Sequence, residues 1–239
     1  YKYFQYCSSK SITRPPSNLR TWVIASNNIN TVMGCAGMFR RTWGKYGFNS
    51  NSQVSTFLSN KVMVFAANVI AKITKFAQPD LVIVIKNGYY EYNHIFQTTF
   101  HECAHASHWN KVGSTYWVNY INYIITYGWE DPDNPYGDGS GANAGYCGVG
   151  EMWGNYMGSL FRSQYFNEED WWFFEDDEYW FNPGFLQRVD SIPDISLSDI
   201  YRCLTSSTIT FPSLITQLKT KTDYDSQIDN DFNSYPDWP

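Results

Sequence analysis

The residues best suited to chemistry are two histidines and a glutamate near the middle of the chain, in the segment His101-Glu102-Cys103-Ala104-His105. In an α-helix, successive residues are rotated by about 100°, so His105 returns to within about 40° of His101 while Glu102 lies about 100° away. Two imidazoles one turn apart can bind one Zn²⁺ at about 2.0–2.1 Å per nitrogen. Glu102 would then lie beside them, able to reach a metal-bound water rather than the metal.

The flanking sequence predicts the helix that such a site needs. Apolar side chains lie about 200–300° around the helix from His101, a face that can pack in the core, and they are Phe96, Phe100, Cys103 and Ala104. A strand at Leu81–Ile85 and a turn at Asn87-Gly88 precede a helix predicted over 93–109. The simpler alternative is a pair of surface histidines and a solvated glutamate on an amphipathic helix.

With the strand and turn before it, the His-Glu-x-x-His motif resembles the active-site helix of the zincin metallopeptidases. The resemblance covers about residues 81–109. It implies a mixed α+β fold in which the metal lies in a cleft beneath an edge strand. The third ligand, which separates the zincin clans, must come from elsewhere in the chain.

Two of the possible clans fit the sequence poorly or in part. The metzincin pattern requires a glycine and a third histidine after His105, but His108 and Lys111 occupy those positions. The aspzincin pattern requires an aspartate, which Asp133 supplies in the segment Asp133-Asn134-Pro135-Tyr136-Gly137. The Gly-Thr pair that precedes the aspartate in that clan is absent, and a polar turn is the alternative interpretation.

The gluzincin pattern requires a glutamate on a second helix, and Glu151 fits it. On a helix, Glu151 and Asn155 share the face opposite an apolar stripe, while Gly154 and Gly158 would let another helix approach closely. This resembles the third-ligand helix of gluzincins, with Asn155 where thermolysin-like enzymes have an aspartate. We therefore expect Glu151 as the third metal ligand and Asn155 as a residue that supports the ligands.

This ligand set predicts a mechanism. Three protein ligands leave the fourth position of Zn²⁺ to water, whose pKa falls towards 7. Glu102 would take the proton of that water and deliver it to the leaving amine. The donor to the tetrahedral oxyanion stays open among four residues, which are His94, Tyr136, Tyr146 and Tyr156.

The composition excludes several other classes of protein. The 239 residues include 17 basic and 23 acidic side chains, for a net charge of −6, so we expect no nucleic-acid partner. No apolar run approaches the roughly 20 residues of a membrane span. Five cysteines without a Cys-x-x-Cys pair exclude a cysteine zinc finger. The aromatic content of 19% favours either a ring-rich core or exposed rings that bind sugars or peptides.

We expect a single zincin-like catalytic domain over residues 1–239, of the α+β class with a small mixed sheet. The half up to about residue 110 should hold the strands and the His-Glu-x-x-His helix, and residues 111–239 should be mainly helical and carry the third ligand. A long loop is predicted over 128–150 and a loose polar tail from Thr222. The aromatic and acidic segment 171–181 is either a cover for the core or a substrate platform. Further elements are predicted as a strand at Trp22–Ala25 and helices at Gln53–Ala77, Tyr116–Tyr127, Gly150–Arg162, Ser198–Thr205 and Pro212–Lys219.

The sequence thus predicts a zinc-dependent metallopeptidase that acts on peptides or proteins. One alternative is a zinc-binding domain of weak activity that binds glycan or protein through exposed aromatic rings. Another is a zinc hydrolase of non-peptide amides. The first residue is Tyr1 rather than Met, and the chain resembles secreted or lipoprotein-anchored bacterial zincins. From these features we expect a bacterial protein outside the cytoplasm, whether secreted, periplasmic or anchored as a surface lipoprotein. The oligomeric state stays open.

Overall fold

The computed structural model describes residues 1–27, 29–42, 79–128, 136–168, 179–235 and 238. Over these residues the chain is α+β and mostly helical, with a small three-stranded sheet, which confirms the predicted class. The predicted helix at Gln53–Ala77 and the aspartate Asp133 lie outside the described residues.

The sheet consists of β1 (Thr21–Ser26), β2 (Val32–Cys35) and β3 (Leu81–Lys86), in the spatial order β1-β3-β2. The strands β1 and β3 are parallel, whereas β2 runs antiparallel to β3 with Gly34 opposite Ile83. Residues 81–84 are all buried, as expected for the central strand of a covered sheet. The strand β2 therefore forms one edge of the described sheet.

Helices make up the rest of the described fold. In chain order they are α1 (Lys2–Ser9), α2 (Phe39–Thr42), α3 (Tyr92–Val112), α4 (Ser114–Tyr123), α5 (Ala144–Phe166), α6 (Gly184–Ser191), α7 (Leu197–Cys203), α8 (Phe211–Lys221) and α9 (Asp225–Asn233). A π-helical turn at Ile124–Gly128 extends α4. The corner between α3 and α4 is Gly113, whose φ of +86° is a conformation that favours glycine. No helix of the described residues is both long and apolar enough to cross a membrane.

The long helix α5 begins at Ala144, six residues before the predicted start at Gly150, so the predicted loop is too long. Helix propensity does not predict this first part of the helix, because each of its glycines costs about 1 kcal/mol relative to alanine. Here they allow close packing instead. A Cβ on Gly145 would lie 2.1 Å from the carbonyl oxygen of Ile209, and one on Gly148 would lie 2.6 Å from the ring of Phe211. Tertiary contacts thus override the local preference.

The expectation of a loose tail after Thr222 is wrong over the described residues. Helix α9 forms there, with Ile228 fully buried, and Trp238 stacks on Phe232 at 4.5 Å. The apolar residues through which this segment packs on the core are few and widely spaced, so its composition alone predicts a loose polar tail.

The helix α3 lies between two apolar clusters. Phe100 and Ala104 belong to the cluster built mainly from α1 and α5 to α9, while Ala106 and Val112 belong to the cluster shared with the sheet and α4. The helix that carries the His-Glu-x-x-His motif is therefore held from two sides. Of the aromatic segment 171–181, the described residues 179–181 pack on these clusters as a cover for the core.

Candidate metal centre

Side chains from two helices meet at one point. His101 and His105, one turn apart on α3, direct their Nε2 atoms to within 2.8 Å of each other. Glu151 reaches them from α5, with Oε2 at 3.4 Å from His101 Nε2 and Oε1 at 3.5 Å from His105 Nε2. The structure therefore brings together the three residues that the sequence predicts as ligands.

Two glycines of α5 let it approach α3 this closely. A Cβ on Gly154 would lie 2.8 Å from His105 Nε2 and 2.9 Å from His101 Cε1. A Cβ on Gly158 would lie 2.9 Å from the carbonyl oxygen of Gln97. This confirms the close helix approach predicted at these two positions.

Burial and mutual charge set the protonation of the three groups. Burial raises the pKa of Glu151, but the attraction of both histidines outweighs it and holds that pKa well below its usual range. Burial also lowers the pKa of His101, but the attraction of the Glu151 and Glu102 carboxylates outweighs it, so the net direction is upward. For His105 burial prevails, and its pKa is lowered. The carboxylate is thus ionised beside two imidazoles.

Glu102 lies next to this group under the edge strand. Its Oε1 is 3.9 Å from His101 Nε2, and a Cβ on Gly34 of β2 would lie 2.3 Å from that oxygen, so glycine alone fits there. Glu102 Oε2 is buried without a hydrogen-bond partner among the described residues. Burial raises the pKa of Glu102 to about 8, although the attraction of His101 and a backbone hydrogen bond from Ala36 act in the opposite direction. A cation nearby would lower that pKa and keep the carboxylate charged.

Glu151 is also held from a third helix. The hydroxyl of Tyr120, on α4, donates a hydrogen bond to Glu151 Oε1. Glu151 Oε2 is buried and has no hydrogen-bond partner among the described residues. The sequence did not indicate the contact of Tyr120 with this site, because a tyrosine in a helix rich in aromatic residues carries no distinguishing signal.

The donor set fits a zinc ion. Two imidazole nitrogens and a carboxylate oxygen are ligands that Zn²⁺ prefers, and ligands at about 2.0–2.1 Å in a tetrahedral arrangement lie about 3.3 Å apart. The observed separations, 2.8 Å between the two Nε2 atoms and 3.4 Å between His101 Nε2 and Glu151 Oε2, bracket that value. Within the described residues, these three side chains are the one group of three or more histidine, cysteine and acidic residues close enough to share an ion. With 13% of its side chain exposed, His101 leaves this group reachable from solvent.

The remaining predicted residues lie around the centre with different contacts. Asn155 Nδ2 donates to the backbone carbonyl of Glu151 at 2.9 Å, so it contacts the ligand-bearing turn, and its support of the ligands stays a prediction. His108 is buried against Tyr116 and Trp117, outside the metal-binding group.

The four candidates for oxyanion stabilisation differ in their contacts. His94 is paired with the hydroxyl of Tyr89 at 2.9 Å, and the hydroxyl of Tyr156 interacts with Asp190. Burial, followed by the charge of Glu151, raises the pKa of Tyr136 well above its ordinary value. Tyr146 packs on the ring of Tyr116 at 4.8 Å.

Comparisons with known proteins give no further information on this centre. No protein-family model, no curated protein and no solved structure matches the chain.

Proposed function

We propose that the chain is a zinc-dependent metallopeptidase of the zincin superfamily, of gluzincin type, with peptides or proteins as substrates. The observation that carries the proposal is the convergence of His101 Nε2, His105 Nε2 and a Glu151 oxygen beside the carboxylate of Glu102. Three protein ligands with a neighbouring general base are the arrangement of a catalytic zinc site rather than a structural one, which has four protein ligands.

Each side chain has a separate task in this proposal. His101, His105 and Glu151 would hold the ion. Bound Zn²⁺ supplies a Lewis acid that polarises the scissile carbonyl and makes water acidic enough to attack near neutral pH. Glu102 removes a proton from the attacking water through Oε2, which has no hydrogen-bond partner within the described part of the chain, and transfers it to the leaving amine nitrogen.

The fold gives secondary support. The edge strand β2 runs antiparallel to its neighbour and lies against Glu102 through Gly34. A mixed sheet whose edge strand covers the active-site helix is what the zincin resemblance implies. The assignment to this superfamily rests on the motif and on this packing.

Metal content and peptide hydrolysis test the proposal together. We expect the purified wild type to contain one zinc per chain by plasma mass spectrometry and to cleave members of a peptide library. Glu151→Gln should lose the metal because it removes the charged ligand. Glu102→Gln should keep the metal but lose at least about 100-fold in rate, as expected for a missing general base.

The matched control is Glu91→Gln, the same substitution at an exposed residue just before α3. It should leave both metal content and hydrolysis unchanged. Wild-type protein without stoichiometric metal, purified without chelators, would overturn the proposal. Full metal content in Glu151→Gln would overturn the assignment of the third ligand.

A second function is favoured by the rings on the surface. Tyr165 and Phe166, 38% and 36% exposed, pack with Phe96 at one end of α5. If zinc is bound but no peptide is cleaved, a zinc-binding domain that recognises glycan or protein through such rings is the better description. Hydrolysis of non-peptide amides alone would instead indicate the third function expected from the sequence. A location outside the cytoplasm stays a prediction.

A further inference from the structure

The two carboxylate oxygens of Glu151 have different surroundings. Oε1 accepts the hydrogen bond of Tyr120, whereas Oε2 has no hydrogen-bond partner among the described residues and lies 3.4 Å from His101 Nε2. A buried carboxylate oxygen without a donor is costly, so it favours a ligand at that position. The hydrogen bond to the other oxygen thus distinguishes two otherwise equivalent atoms.

The ring of Tyr120 is packed between Trp117 and the backbone of α5. It stacks on Trp117 with a centroid distance of 4.6 Å, and a Cβ on Gly150 would lie 3.2 Å from it. Trp117 is fixed in turn, because its indole nitrogen donates to the carbonyl oxygen of Ala36 at 2.9 Å. The hydroxyl therefore reaches Glu151 from a ring with little freedom to move.

The hydrogen bond from Tyr120 engages one of the two oxygens of Glu151 and leaves the other facing His101. A fixed donor on one oxygen limits rotation of the carboxylate. Residues that orient metal ligands in this way typically contribute about 10–100-fold to metal affinity.

We propose that Tyr120 is a positioning residue of the metal centre, which holds Glu151 so that Oε2 alone binds the ion. This inference rests on the proposed function, since it requires a metal at the site. It assigns to α4 a role in metal binding that the motif on α3 does not include. It also explains the glycine just before the ligand, because Gly150 makes room for the Tyr120 ring.

The test compares Tyr120→Phe with wild type by competition for Zn²⁺ against a chromophoric chelator. Phenylalanine keeps the stacked ring and removes only the hydroxyl. We expect a zinc affinity about 10–100-fold lower and a changed visible absorption spectrum of the Co²⁺-loaded protein, with metal-free thermal unfolding close to that of wild type. If Tyr120 had only a structural role, the Co²⁺ absorption spectrum would not change.

The matched control is Tyr116→Phe, which removes a buried tyrosine hydroxyl one turn earlier on the same helix. That hydroxyl donates to the carbonyl of Tyr146 and makes no contact with Glu151. We expect wild-type zinc affinity and an unchanged Co²⁺ spectrum. A decrease equal to that of Tyr120→Phe would mean that lost helix stability, not positioning, causes the effect, and would overturn the inference.

One measurement needs no variant. In the infrared difference spectrum between zinc-loaded and metal-free wild type, binding through one oxygen separates the two carboxylate stretches widely, while binding through both oxygens brings them together. We expect a wide separation of the two carboxylate stretches, because Oε2 alone is proposed to bind the ion. A narrow one, or wild-type affinity in Tyr120→Phe, overturns the role of Tyr120 and leaves the metal site standing. Wild type that binds no metal overturns both.

Discussion

Gly154 is the residue on which the positions of the two histidine rings depend most directly. Its missing side chain leaves the space that His101 and His105 occupy, since a Cβ there would lie 2.7 Å from His105 Cε1. His105 is 1% exposed and its ring centroid lies 5.6 Å from that of Trp117, so it cannot retreat far. Any side chain at residue 154 must therefore displace a ligand.

Gly154→Ala should accordingly weaken zinc binding by at least about 10-fold, in the range of other changes that disturb ligand orientation. Alanine gains about 1 kcal/mol of helix propensity, so the variant should still fold. Chelator competition measures the affinity. Gln164→Ala, at an exposed residue of the same helix, is the control and should bind zinc normally. Unchanged affinity in Gly154→Ala would show that α5 can shift away from α3 without cost to the site.

The sequence predicted four residues of the candidate site. His101, Glu102 and His105 form a local motif, and Glu151 was predicted because the gluzincin resemblance implies a glutamate on a second helix, where it lies opposite an apolar stripe. Tyr120 could not be found in this way. Its contact with Glu151 depends on how α4 packs against α5, which no periodicity in either helix specifies.

Helices and strands show the same difference between features set by a local sequence pattern and features set by packing. Helix α3 and strand β3 were predicted nearly to their ends, because one has a clear apolar face and the other a β-branched run. The short strand β2, with a glycine and two partly or fully exposed residues, has no such pattern and forms through its ladder with β3. Helix α1 was also missed, and its buried residues Tyr3 and Cys7 are stabilised by packing on the long helices.

The end of α3 contains a lysine that should make stability depend on pH. Lys111 donates to the carbonyl of Tyr201 and lies 4.2 Å above that ring. Burial lowers its pKa to about 8. Between about pH 8 and the unfolded value of about 10.4, the unfolded chain binds more protons, so this group adds stability as the pH rises. Because Lys111 is partly exposed, we expect about 1 kcal/mol over that window.

Two variants isolate this contribution in urea unfolding at pH 7 and pH 10. Lys111→Met carries no charge at either pH, and Lys111→Arg keeps its charge at both. The free energy of unfolding of wild type should rise relative to both variants between the two pH values. A constant difference from both would mean that Lys111 is solvated well enough to titrate alike in the folded and unfolded chain.

At the scale of the whole molecule, the candidate ligands come from the two longest helices of the described fold, and they are 46 residues apart between His105 and Glu151. These helices contribute to the same buried core, with Phe100 of α3 packed on Phe161 of α5. An ion bound between α3 and α5 would link them at a second place. Metal binding should therefore stabilise the entire core rather than a local loop.

This coupling predicts a large effect of metal on thermal unfolding. A ligand that binds only the folded state at 100 times its Kd stabilises it by about 2.7 kcal/mol, which for a chain of this size corresponds to about 5–10 °C in Tm. We expect calorimetry to show that increase when Zn²⁺ is added to chelator-treated wild type. Glu151→Gln should show little or none of it, because zinc then loses its charged ligand. An equal increase in the variant would place the stabilising ion elsewhere in the chain.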